Sequence, residues 1–160
     1  MRMFRVRVDR EINGTLYTRQ TAYDDVVPGI PIRLHNDGTY DPPEQYWDDG
    51  TFTITYENLH RMYVCQSWKD SVTLEGNEQV AMVPFTQPFS AIAIVDADDF
   101  ADYDDVSDIT PGTAFAIING LLAAATATNP PVLQVLSNPK SMFNDEYEVE
   151  FATWGLRLQP

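Results

Sequence analysis

Phe4, Val6 and Val8 alternate with Arg5, Arg7 and Asp9; Asn13 and Gly14 follow, and Leu16, Tyr17 and Arg19 resume an extended pattern. Period-two alternation on both sides of Asn-Gly predicts a β-hairpin closed by a two-residue turn. In that register Val8 faces Arg19 and Arg10 faces Tyr17, leaving Phe4, Val6, Val8, Ile12, Tyr17 and Tyr23 on a face that can join a core. The stretch from Val26 to Tyr46 carries Pro28, Pro31, Pro42 and Pro43, so it reads as loops around one short edge strand, Ile30 to His35. Alternation returns at Thr51, with Phe52, Ile54 and Tyr56 on one side and Thr51, Thr53 and Thr55 on the other, the pattern of a half-buried antiparallel strand. Arg61 to Trp68, and then Val72 to Val83 through Gly76 and Asn77, extend this into a meander.

Ala91 to Val95 is a continuous apolar run, which predicts a central strand covered on both faces. The next segment is two-sided. Thr110-Pro111 followed by the alanine-rich run Ala114 to Ala127 reads as a helix start, whereas Asn119-Gly120 between apolar residues is a hairpin signal. Four alanines in the seven positions after Gly120 tip the expectation to one apolar helix near 111–126, its interior glycine costing about 1 kcal/mol. Such a helix would need burial between sheets or against a second subunit. Val132 to Leu136 and Glu146 to Leu158 supply the last strands. The expected fold is mainly β, an antiparallel sandwich or barrel-like module, forming a single domain over 1–160 with an N-terminal hairpin and one short helix.

Length supports that reading, because 160 residues can hide roughly 70% of the unfolded chain's surface without a metal or disulfide. A single cysteine, Cys65, excludes an internal bridge. The opening residues contain no apolar run of signal-peptide length, so synthesis and residence in the cytoplasm, or in an assembled virion, are expected. The longest apolar tract is too short to span a bilayer as a helix.

Charge changes the picture more. The net charge is -14, yet residues 1–20 carry Arg2, Arg5, Arg7, Arg10 and Arg19 against only Asp9 and Glu11, so the sequence is electrically two-ended. No Lys, Arg or His lies between Lys69 and Lys140, while Asp96, Asp98, Asp99, Asp102, Asp104, Asp105 and Asp108 crowd one short segment. An acidic body lacks the cations needed to neutralise phosphates, so direct nucleic-acid binding is not expected.

The Asp cluster offers oxygen ligands of the kind Ca²⁺ selects, and Asp96, Asp98, Asp99, Asp102, Asp104 and Asp105 are its candidate metal ligands. It lacks the glycine and glutamate of an EF-hand, and a solvated acidic loop near a helix start accounts for the same residues. His35 and His60 lack a partner at zinc-ligand spacing; alternation puts Cys65 and His60 on opposite faces of one strand, which disfavours a nucleophile pair. No nucleophile elbow, P-loop or dinucleotide fingerprint is present. Asp24 with Asp25 and Asp48 with Asp49 read as turn residues, and Trp47, Trp68 and Trp154 as core or interface aromatics.

With no catalytic constellation and no cofactor motif, the expected function is structural rather than enzymatic. The chain reads as an accessory subunit of a larger particle, such as a capsid decoration or tail-junction component of a virus or phage. It would dock on protein partners or copies of itself through β edges and opposite charges, with Arg2, Arg5, Arg7, Arg10 and Arg19 as interface residues. Two alternatives remain: a Ca²⁺-dependent module binding carbohydrate or protein through the Asp96–Asp108 loop, and an acidic inhibitor mimicking nucleic acid.

Overall fold

The computed structural model describes residues 6–11, 18–21, 31–33, 52–66, 79–86 and 89–153, with backbone alone for 6–11, 18–21, 31–32, 64–66, 79–83 and 89. The chain is mainly β, as its alternation implies. Eleven strands are described: β1 Val6–Glu11, β2 Thr18–Thr21, β3 Pro31–Arg33, β4 Met62–Gln66, β5 Gln79–Pro84, β6 Phe89–Val95, β7 Ala114–Ile118, β8 Leu121–Ala123, β9 Leu133–Val135, β10 Lys140–Ser141 and β11 Tyr147–Thr153. They form a seven-stranded sheet in the order β1-β6-β11-β9-β7-β8, with β10 also paired to β11, and a four-stranded sheet in the order β2-β5-β4-β3. Every described strand pair is antiparallel.

The register explains the core. Tyr147, Val149 and Phe151 of β11 stand opposite Val95, Ala93 and Ala91 of β6, and on the other side Phe151 stands opposite Val135 of β9. Leu133 is opposite Phe115, and Ile117 opposite Leu122, so one face of the sheet is apolar across five strands. These side chains share one buried cluster with Met62 and Phe85 of the four-stranded sheet and its flank and with Phe52 and Ile54. The opposite face carries Ile92 and Ile94 beside Glu150 and Glu148 and is only half covered. Strand alternation thus turns the sequence pattern directly into an inside and an outside.

Three expectations fail. The helix near 111–126 is a hairpin of β7 and β8, with Ile118 paired to Leu121 and Ala116 to Ala123. Asn119 and Gly120 both take positive φ, 52° and 75°, the requirement of a two-residue turn matched to strand twist. Thr110-Pro111 begins a tight turn rather than a helix: Gly112 has φ of 92°, and the Thr113 N–H donates to the Thr110 carbonyl at 3.2 Å. The alanines favour helix only weakly, whereas the strands bury Phe115, Ile117 and Leu122 in the shared core. Gly120→Ala separates the two geometries. It would stabilise a helix by about 1 kcal/mol but destabilises a left-handed turn position by about 1–2 kcal/mol, so the urea midpoint is expected to fall.

The N-terminal hairpin is also replaced. Val8 pairs with Ala91 of β6 and Arg19 with Ala81 of β5, so β1 and β2 belong to different sheets. The apolar β6 needs a partner on each edge; β1 occupies one and β11 the other. The predicted turn at Asn13 and Gly14 lies outside the described residues. Of the edge strand expected over 30–35, residues 31–33 are described, and among the described strands β3 ends its sheet. The Phe52 to Tyr56 segment leaves the expected meander and runs along β7: the Ile54 N–H donates to the Ile117 carbonyl at 2.9 Å and the Gly120 N–H to that of Phe52 at 2.8 Å.

Candidate docking surfaces

The Asp cluster lies directly after β6 and uses several of its carboxylates on its own backbone. Asp96 caps a short 3-10 turn, Ala97–Asp99: the Asp98 N–H donates to Asp96 Oδ1 at 3.0 Å, and the Asp96 N–H donates to Asp99 Oδ2 at 2.9 Å. This reciprocal cap satisfies donors that a short turn leaves open. Asp105 repeats the device on Val106–Asp108, accepting from Ser107 Oγ at 2.7 Å and from its N–H at 2.9 Å. The Ser107 hydroxyl bond, and then the Ser107 amide bond, hold the Asp105 carboxyl below the ordinary carboxylate range.

Apolar residues interleaved with the acids pin this loop. Phe100, Val106 and Ile109 are buried; Phe100, Tyr103 and Phe115 meet edge to face with centroids 5.3 to 6.1 Å apart. Asp98, Asp102, Asp104, Asp105 and Asp108 face solvent, while Asp99 is buried. Among the described residues no three of the His, Cys, Asp and Glu side chains gather closely enough to hold a metal ion. Of the candidate ligands, Asp96 and Asp99 are brought together, by the cap they share.

The loop also covers a sheet end. The Ala101 N–H donates to the Leu122 carbonyl at 2.9 Å, Phe100 bridges to Leu122 in parallel, and the Ala124 N–H makes a long 3.5 Å contact with Asp102 Oδ2. The outer edge of β8 is therefore taken by chain that bears carboxylates, a barrier to further strand pairing.

At the other end of the strand order stands β1, which holds Arg7 and Arg10; Arg19 lies on β2, which ends the second sheet. Arg2 and Arg5 lie outside the described residues. The β1 register shifts between Val8 and Arg10, an irregularity that bends a strand. Strand β1 also approaches β4, both of whose edges are occupied, by β3 and β5.

A surface that the alternation did not single out is the tip of the β10–β11 hairpin. Asn144 and Asp145 both take left-handed φ, 59° and 60°, and the Met142 N–H donates to the Glu146 carbonyl at 2.8 Å. This tight turn leaves Phe143 88% exposed and Met142 44% exposed. The sequence signal was Asn-Asp between a short apolar pair and an alternating strand, weaker than Asn-Gly because neither residue is glycine.

His60 is exposed in a 3-10 turn ahead of β4, and Cys65 lies within that strand. His35, the Asp24-Asp25 and Asp48-Asp49 pairs, and Trp47, Trp68 and Trp154 lie outside the described residues. Among the described residues, no helix is long and apolar enough to cross a membrane. No protein-family model matches the sequence, and no curated protein is significantly similar to it.

Proposed function

We propose that the chain is a non-enzymatic assembly subunit, an accessory component of a larger particle such as a virus or phage virion, acting by docking on proteins or on copies of itself. The supporting observation is the uneven charge of the sequence: residues 1–20 hold five Arg against Asp9 and Glu11, while Asp96–Asp108 holds seven Asp and no cation. Strand β1, from the first of these segments, ends the strand order of the large sheet on one side, and the acidic Asp96–Asp108 loop covers β8 on the other. Poles of opposite sign steer encounter and fix orientation. Exposed ion pairs alone contribute about 0–1 kcal/mol each, so a docking subunit also requires an apolar anchor. Phe143 is of that kind: covering an exposed phenylalanine is worth about 1.5–3 kcal/mol.

Sedimentation across protein and salt concentration tests this reading. Association is expected at low salt, weakening as salt rises, because attraction between exposed opposite charges is screened. Catalytic turnover of a compound by the purified chain, lost on substitution of Cys65, His60 or an aspartate of the cluster, would overturn it.

A further inference from the structure

Asparagine followed by glycine can react with itself, because a residue without a Cβ leaves its own backbone nitrogen uncrowded. That nitrogen, once deprotonated, attacks the asparagine carboxamide carbon. A carbon–nitrogen bond forms, the bond to Nδ2 breaks, and the carboxamide nitrogen leaves as ammonia with the proton taken up. Water then opens the cyclic imide at either of its two carbonyls, giving aspartate or its backbone-lengthened isomer, isoaspartate. The β7–β8 turn places this dipeptide at its tip, with Asn119 exposed and both residues at positive φ.

The neighbouring segment restrains both reactants. The Gly120 N–H donates to the Phe52 carbonyl at 2.8 Å, so the lone pair that deprotonation would release along that bond points at Phe52 and away from the Asn119 carboxamide. The Asn119 N–H donates to Thr53 Oγ1 at 2.9 Å, and Asn119 Oδ1 accepts from the same hydroxyl in a longer contact of 3.4 Å. One hydroxyl can both accept and donate, so the two bonds coexist. Phe52 and Ile54 are buried in the core, the Ile54 N–H is bonded to the Ile117 carbonyl, and Asn129 Nδ2 holds the Ile54 carbonyl. While this segment lies on β7, the attacking nitrogen is engaged elsewhere.

We propose that Asn119 is a site of spontaneous, irreversible deamidation that the Phe52–Ile54 segment keeps closed, the reaction proceeding through local opening of that segment. The inference is independent of the assembly reading, and its one co-reactant is water. The observed rate is then the rate of the open chain multiplied by the fraction of molecules open at this point. The two products act differently on the fold. Aspartate tolerates the left-handed backbone as asparagine does, so that product closes again with one more negative charge beside Thr53. Isoaspartate adds a methylene to the main chain between Ile118 and Leu121, which are paired across a turn built for two ordinary residues, so that product cannot restore the register.

Peptide mass spectrometry after incubation in mildly alkaline buffer reads conversion at residue 119 separately from the second Asn-Gly, Asn13-Gly14. The folded wild type is expected to react at Asn119 roughly tenfold or more slowly than the same chain in urea. Thr53→Val keeps the branched shape but removes the hydroxyl, and should raise the folded rate severalfold with far-UV dichroism unchanged. If that variant folds poorly, Asn129→Ala takes its place, since it releases the Ile54 carbonyl without touching the turn. Equal rates in folded and unfolded wild type, or a folded rate that the substitution leaves unchanged, overturn the restraint by Phe52–Ile54. An Asn119 that stays intact even in urea overturns the site itself.

Discussion

Phe151→Ala is expected to cost about 3–5 kcal/mol of folding free energy, the largest effect of any single truncation considered. Phe151 is fully buried in the middle of the large sheet, with Ala91 of β6 on one side and Val135 of β9 on the other. Neither neighbour can fill the space, since one is already a methyl group and both strands are fixed by their ladders. The cavity therefore stays open, and the lost contacts add to the lost transfer free energy. In a chain of this length each kcal/mol lowers the melting temperature by about 2–4 °C. Urea denaturation checks this: the midpoint should drop with the slope unchanged. A loss under about 1 kcal/mol would place Phe151 outside a packed core.

Asn129→Ala should cost about 1–3 kcal/mol by a different route. Asn129 is 8% exposed, and its Nδ2 donates to the Ile54 carbonyl at 3.1 Å while its Oδ1 accepts from the Thr126 and Thr128 hydroxyls at 2.7 and 3.1 Å. It ties the Phe52–Tyr56 segment to the loop after β8, where the Tyr56 N–H also donates to the Thr128 carbonyl. Alanine leaves a buried carbonyl unsatisfied and frees two hydroxyls. Asn129→Asp keeps the acceptor but removes the Nδ2 donor, so it tests the Ile54 bond separately. Equal stability of wild type and Asn129→Ala in urea would show that this side chain does not join the two segments.

The class of the fold was legible because alternation is a local signal. Ala91 to Val95 and Tyr147 to Phe151 announce strands by composition and period, and both lie in the heart of the large sheet. Partner choice was not legible, since it depends on edges distant in sequence. Asn13-Gly14 suggested that β1 should fold back on β2, whereas β6 needed β1 and β5 needed β2. Around Asn119-Gly120 the sequence carried both answers. Alanine content spoke for a helix, but β-branched Ile117 and Ile118, with a turn able to take positive φ, spoke for strands, and burial of Phe115, Ile117 and Leu122 decided between them.

Of the candidate surfaces, the acidic loop was visible as composition. Its caps at Asp96 and Asp105 follow from aspartate standing two residues before an amide it can accept. Its position over β8 could not be read, because that needs the hairpin to be known first. Phe143 was hidden for a simpler reason: one phenylalanine in a string looks the same whether it is bound for the core or for a turn.

The long β11 strand gives one edge to β6 and divides the other between β9 and β10, and the two halves are out of step. Val135 is opposite Phe151 but Lys140 is opposite Glu148, so Leu136 to Pro139 place two extra residues where the partner strand has none. Only the Leu136 N–H, donated to the Glu150 carbonyl, bridges the start of that gap. A break of this kind uncouples the outer turn from the strands beneath it. In deuterated water the Met142 and Glu146 amides should therefore exchange through a local opening, long before those of Leu133 and Val135, which require the sheet itself to come apart.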